Sequence, residues 1–122
     1  LKVEPRHMVL EIGTGSGYQA AILAQLSRRV HTIERHRELY DLAKGRFEAM
    51  RIRNITTHLG DGAKGWPHAA PYERIMVTCA ATEEPTALLE QLRPDLAEQL
   101  KDHARSFIRK LPAKLLQTPP AG

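Results

Sequence analysis

With 122 residues, 42% of them hydrophobic, the chain is sized for one small domain with a modest core rather than for two. Its formal charge of +4 is spread thinly (residues 95–122 hold five Lys or Arg against three acids), and no basic cluster interleaves with aromatics, so nucleic acid is not expected as a partner. No apolar run is long enough to span a bilayer and no leader is visible, so no membrane contact is expected, while the single cysteine, Cys79, excludes an internal disulfide and suits a reducing, cytoplasmic setting.

The chain opens at Leu1 in what reads as mid-domain sequence, which predicts a segment upstream. Residues 9–12, a short apolar run stopped by glycine, predict a buried parallel strand. Residues 18–27 predict a helix, with Tyr18, Ile22, Leu23 and Leu26 at helical spacing, alanines between them, and Arg28 and Arg29 at its C-terminal end. A second strand is expected over 30–34 and a second helix over 37–51, with Leu39, Leu42, Ala43, Phe47 and Met50 as its apolar stripe. Gly45 inside that helix either costs about 1 kcal/mol or permits close packing. A third strand follows at 55–59, a Gly-Asp-Gly turn at 60–62, an irregular loop at 65–72 and a fourth strand at 74–78. A third helix is expected to begin near Pro85, carrying Ala87, Leu88, Leu89 and Leu92.

Strands alternating with helices imply an α/β fold with a parallel sheet covered on both faces. After Pro94 the texture changes. Asp95 and Glu98 resemble a capping box, and Leu96, Leu100, Ala104, Phe107, Ile108 and Leu111 recur at helical spacing. They predict a basic amphipathic helix ending near Pro112, packed on its own sheet rather than on a membrane or partner. The organisation is therefore a core over 1–94 and a divergent helix with a Pro-rich end over 95–122.

The Gly-rich loop from Gly13 to Gly17 follows a strand and opens a helix. Such a loop presents backbone N–H groups and a helix N-terminus to a ligand, and glycine removes the Cβ that would collide with it. The third glycine comes one residue too early for the dinucleotide pattern, and the Gly-Lys-Ser/Thr of a phosphate loop is absent. Instead, acids stand at successive strand ends. Glu11 precedes the loop, where a carboxylate suits a cationic amino-acid end better than a pyrophosphate. Glu34 can accept both hydroxyls of a ribose, although alone it reads equally as an exposed strand-end acid. Asp61 can accept from an adenine amine. Three acids over one bare loop describe a site for a cationic nucleoside without phosphates, which is S-adenosylmethionine (SAM). The six histidines form no metal-ligand pattern; His31 and His58 fall in strands, and His7, His36, His68 and His103 read as surface or loop residues.

Glu11-Ile-Gly-Thr-Gly-Ser-Gly-Tyr18, followed by Ile33-Glu-Arg35, Gly60-Asp-Gly62, Gly65-Trp-Pro67, Ala70-Pro-Tyr72 and Gln91-Leu-Arg-Pro94, resembles the protein-L-isoaspartate O-methyltransferases from about residue 1 to 94. The resemblance implies a Rossmann-like class I methyltransferase three-layer sandwich, incomplete here with about four parallel strands plus a C-terminal helix. It implies SAM as cofactor, held by Glu11, Gly13, Thr14, Gly15, Ser16, Gly17, Glu34, Arg35, Asp61 and Gly62. It implies methyl transfer to the free carboxylate of L-isoaspartyl or D-aspartyl residues in damaged proteins, which are the expected partners. That acceptor is already an anion near pH 7, so no catalytic side chain is nominated. Trp66 and Tyr72 are expected to cover the adenine side, and Cys79 to be a small buried hydrophobe.

Two departures qualify the likeness. An upstream substrate-side segment with a serine is missing, and Arg93-Pro94 runs into Asp95 rather than Gly-Gly. The chain thus reads as truncated at both ends with impaired activity, and the fourth strand's open outer edge is expected to invite self-association. A different methyl acceptor, or a non-catalytic SAM-binding or interaction fragment, remain the competing readings.

Overall fold

The computed structural model describes residues 2–77, 86–93 and 108–110. Its first strand, β1 (Met8–Ile12), is followed by α1 (Tyr18–Leu26), β2 (Arg29–Glu34), α2 (Arg37–Ala49) and β3 (Ile55–Leu59). Two short 3-10 turns, Gly62–Lys64 and Pro67–Ala69, lead to β4 (Arg74–Val77), and α3 (Thr86–Gln91) and β5 (Ile108–Lys110) complete the described elements. All strand pairs are parallel, in the order β3-β2-β1-β4-β5. The α/β class and the first four strands follow the sequence expectation. Expectations for Thr78, Cys79, the helix start at Pro85, the Asp95–Glu98 cap, and residues 96–107 and 111–112 lie outside the described residues.

Residues 108–110 correct the expected tail helix. They form a fifth strand, with Ile75 opposite Ile108, Met76 opposite Arg109 and Val77 opposite Lys110. The edge of β4 expected to stand open is therefore paired, and the self-association anticipated there loses its basis at those residues. The physical cause is the ladder. Backbone N–H and C=O groups along the outer side of β4 require partners, and a tertiary ladder outweighs local helical periodicity over three residues.

Side-chain alternation along the strands builds two cores. Val9, Val30 and Met76 point to one face and pack with Ala20, Ala21, Leu23 and Ala24 of α1 and with Ala43 and Phe47 of α2. Leu10, Ile12, Ile33, Ile75 and Val77 point to the other, where Tyr72, Leu88 and Leu92 cover them. The buried face of α1 is thus its alanines plus Leu23, which let the helix lie close to the sheet, while Tyr18 and Leu26 are exposed. The stripe of α2 is likewise narrower than expected: Leu39, Leu42 and Met50 are exposed.

Gly45 is exposed, and a Cβ built there would meet nothing within 4 Å. Its cost in the helix is not offset by close packing. Gly45→Ala is expected to stabilise the chain by about 0.4–1 kcal/mol, read as a higher urea midpoint at unchanged slope.

Tyr72 closes the second core. Its N–H donates to the Gln91 carbonyl at 2.8 Å, and its own carbonyl accepts from Arg93 N–H at 2.8 Å, tying the end of α3 to the loop before β4. No described helix is long and apolar enough to cross a membrane.

Candidate functional site

The Gly-rich loop is anchored to the strand beside it. The Gly13 and Thr14 N–H groups both donate to the Ile33 carbonyl, at 2.8 and 3.2 Å. Gly17 N–H donates to the Thr14 carbonyl at 2.9 Å, and Arg46 of α2 reaches the Ser16 carbonyl at 2.8 Å. The Ser16 hydroxyl stays local, accepting from Tyr18 N–H at 3.4 Å.

Two of the glycines serve different needs. Gly17 has φ +87°, and a Cβ there would meet the Phe47 ring at 2.9 Å, so this glycine lets α2 pack against the start of α1. Gly15 has φ +55°, and a Cβ there would meet nothing within 4 Å. No atom of the described residues requires the absence of a side chain at Gly15; the space beside it is open to a ligand.

The carboxylates gather around this loop. Glu34 is 5% exposed, which removes its reading as an exposed strand-end acid. One oxygen accepts from Gly15 N–H at 3.0 Å and the other from His36 N–H at 2.9 Å, so the acid at the tip of β2 also shapes the loop. Glu11 is fully buried and shares its sheet face with Thr32, its register partner on β2. The Thr32 hydroxyl donates to Glu11 Oε1 at 2.6 Å and lies 2.7 Å from the Thr14 hydroxyl. Glu11 Oε2 is buried with no hydrogen-bond partner among the described residues. Burial raises the Glu11 pKa to about 8, the Glu34 charge adds to the rise, and the Thr32 hydrogen bond opposes it.

Asp61 and Gly62 sit at the neighbouring tip. Gly60 N–H donates to the Glu34 carbonyl at 3.0 Å, which brings the Gly-Asp-Gly turn beside the end of β2. Gly62 lies so close to Ile12 at the end of β1 that a Cβ would collide with it. The exposed Asp61 carboxylate caps its own turn, accepting from Ala63 N–H at 3.0 Å. Arg35 is exposed and lines an open surface cavity with His36, Arg37, Glu38 and Leu39. The structure therefore brings Glu11, Thr14, Gly15 and Glu34 into one bonded group, sets Gly62 against its edge, and leaves the side chains of Ser16, Arg35 and Asp61 outside that bonding.

Thr32 is a member of this group that sequence reasoning did not single out. Its signal was the two-residue period of its strand, which puts it on one face with Glu34 and, through the register, with Glu11. Gln91 opens the Gln91-Leu-Arg-Pro94 segment. It is nearly buried, accepts from Trp66 N–H at 2.8 Å and donates to the Lys64 carbonyl at 2.8 Å, clamping the loop to α3.

Trp66 and Tyr72 were expected over the adenine side. Both belong to the α3 side of the sheet, opposite the face that carries Glu11. Tyr72 is fully buried and donates to the Trp66 carbonyl. Trp66 stacks on His58 at 3.8 Å between centroids. Their contacts are set by the apolar face of the sheet, to which a large aromatic contributes more buried area than any other side chain.

His58 continues the stack to His31, with His31 Nδ1 and His58 Nε2 2.9 Å apart. A proton between two ring nitrogens satisfies both rings only while they share one. Burial, then the neighbouring charges of His31 and His68, hold His58 down to about 4, and burial followed by Arg29 lowers His31. Both folded values lie below the ordinary 6.5, so the contribution to stability is full above pH 6.5 and is lost as pH falls from there toward about 4. Glu11, raised in the fold, acts with the opposite sign over its own range: its contribution is present at low pH and is lost as pH rises from 4.5 to about 8. Urea midpoints measured between pH 7 and 4.5 are expected to show a component that His58→Asn removes; an unchanged pH slope in that variant would discount the pair. His7, expected at the surface, is 1% exposed, its Nδ1 accepting from Glu4 N–H at 3.0 Å and its Nε2 facing the Glu4 carboxylate at 3.0 Å. Among the described residues no cluster of His, Cys, Asp and Glu is arranged to hold a metal.

Comparison with known proteins places this arrangement among relatives. The family described as Protein-L-isoaspartate(D-aspartate) O-methyltransferase matches residues 1–95. The protein-L-isoaspartate O-methyltransferase of Maricaulis maris is 57% identical over 93 residues, covering 76% of this chain and 44% of that protein. That of Rhodospirillum centenum is 58% identical over 93 residues, covering 75% and 42%. The chain thus spans less than half the length of these curated relatives. Among solved structures, a protein-L-isoaspartate O-methyltransferase superposes with a TM-score of 0.71 at 34% identity, over 75% of this chain and 30% of that one. A Streptococcus mutans protein in complex with SAH gives 0.60 at 14% identity, over 75% and 60%, a likeness of fold alone.

Proposed function

Because the chain belongs to the protein-L-isoaspartate(D-aspartate) O-methyltransferase family, we propose that it binds SAM on the Gly13–Gly17 loop and serves methyl transfer to the free carboxylate of L-isoaspartyl or D-aspartyl residues in damaged proteins. The observation that carries the reading is the bare backbone of Gly15, open on its Cβ side and bonded to Glu34, together with a buried Glu11 oxygen that has no partner among the described residues. A cation with hydroxyls fits that set; a phosphate does not, because the Glu34 charge beside the loop would repel it and a buried Glu11 offers it no positive partner.

Each residue then has a task. Glu11 receives the positively charged amino-acid end. The Gly-rich loop supplies close backbone approach, with Thr14 locked to Thr32 beneath it. Glu34 keeps acceptor capacity on each oxygen beyond its two backbone bonds, enough for two ribose hydroxyls. Arg35 would stand beside the ribose, and Asp61 and Gly62 would meet the adenine. When bound, SAM supplies an electrophilic sulfonium methyl group. The acceptor carboxylate, with an ordinary pKa of about 4, is ionised near pH 7 and requires no base. The protein's contribution is alignment and exclusion of water.

Titration calorimetry with SAM, followed by labelled-methyl transfer to an isoaspartyl peptide and its aspartyl twin, tests the reading. SAM binding with slow labelling of the isoaspartyl peptide and none of its aspartyl twin is the expected result; robust turnover would refute the impaired activity, and binding with no label on any acceptor would leave a non-catalytic SAM-binding fragment. Binding with label only on other acceptors would transfer the chain to a different methyltransferase activity. Absence of SAM binding would end the proposal.

A further inference from the structure

Glu11 is completely buried, yet among the described residues only one of its carboxyl oxygens is bonded. Oε1 accepts from the Thr32 hydroxyl, which is itself bonded to the Thr14 hydroxyl. Oε2 faces no donor among the described residues. An ionised carboxylate is strongly disfavoured there, because burial strips its hydration and no described cation lies against it.

Among the described residues, the surrounding elements offer no compensation. Strand β2 presents Thr32 and the acid Glu34, the loop presents Thr14, and β4 places Met76 opposite in register. Helix α1 contains no charged residue, and α2 turns Ala43 and Phe47 inward. Arg46 of α2 is occupied with the Ser16 carbonyl on the exposed side of the loop. The only described titratable group acting on Glu11 is therefore Glu34, which repels its negative form.

We infer that Glu11 holds a proton while the site is free of SAM and surrenders it to solvent when the cationic end of SAM binds, so that SAM binding expels one proton. The inference rests on the SAM-binding reading above. The O–H bond at Oε2 breaks with its electron pair retained on oxygen, and the proton passes to buffer. The resulting carboxylate is held by the incoming positive charge on one side and by the Thr32 hydroxyl on the other. Thr32 is thereby a positioning residue: it stabilises the ionised form without touching the ligand.

Calorimetric titration of the 122-residue chain with SAM, repeated at pH 7 in buffers of different ionisation enthalpy, counts the protons released. Release close to one proton per SAM is expected, since a group titrating at about 8 is mostly protonated at pH 7. The dissociation constant is expected to fall about tenfold from pH 6 to pH 7 and to level off above about pH 8. Glu11→Gln, which keeps the shape of the neutral acid, is expected to bind with no proton release and a flat pH profile. Thr32→Val is expected to keep the release but to level off at higher pH, and it serves should the Gln variant not fold. SAM binding by the unaltered chain without proton release overturns the inference and leaves the SAM-binding reading intact. Release that persists in Glu11→Gln overturns it equally. Failure to bind SAM at any pH overturns both.

Discussion

Gly15→Ala is expected to leave the chain folded while weakening SAM binding roughly 5- to 150-fold, the equivalent of overpacking a site by one methyl at about 1–3 kcal/mol. The methyl would point into open space, so no protein contact is lost. The φ of +55° adds a backbone strain of about 1–2 kcal/mol for alanine, a tolerable fraction of a domain's stability. Thermal melts with and without SAM separate the two effects. The melting temperature of the free variant should fall by a few degrees, and the upward shift caused by SAM should shrink or vanish. A variant that binds SAM as tightly as the parent would mean that the ligand does not approach the loop at Gly15, and the proposed site would have to move.

Gly17→Ala is expected to do the reverse, destabilising the fold by about 2–5 kcal/mol. Its φ is +87°, and its Cβ would stand 2.9 Å from two carbons of the Phe47 ring, an aromatic that is itself buried between α2 and the sheet. Strain of about 1–2 kcal/mol and overpacking of about 1–3 kcal/mol act together, against a total stability of about 5–15 kcal/mol. Denaturant unfolding measures the loss directly. The double variant Gly17→Ala with Phe47→Leu relieves the clash and should lose less than the sum of the two single changes. Additive losses would show that the ring and the loop are not coupled. Two glycines two residues apart therefore fail differently: one in the ligand's space, the other in the protein's core.

Much of this fold was legible in the chain itself. The apolar runs at β1, β2 and β4, the helix period of α2 and the placement of glycines and acids after strands lead to a parallel α/β sheet with a site at the strand tips. Those features are local, and their periodicities of 2 and 3.6 survive any arrangement of the elements. The resemblance built on the same segments agrees with the family match over residues 1–95. Where local pattern was used beyond its reach, it misled. The expected helical stripe included Ile108, yet residues 108–110 pair with β4, because strand edges recruit partners wherever the chain passes them. The large side chains of α1 and α2 were expected inside, but alanines occupy much of the buried face, since closeness to the sheet is a property of the packed pair of layers and not of the helix.

By itself the amino-acid order determined which groups could meet a ligand: a backbone stripped of side chains and carboxylates at three successive strand ends. Only the tertiary structure decided their state. It laid β2 beside β1 in the register that sets Thr32 against Glu11, closed the face over them with uncharged residues, and left one carboxyl oxygen without a partner among the described residues. Burial and register are collective quantities, summed over neighbours distant in the chain, and they govern whether an acid is charged. The identity of Glu11 is written in the sequence; the proton it carries depends on the fold.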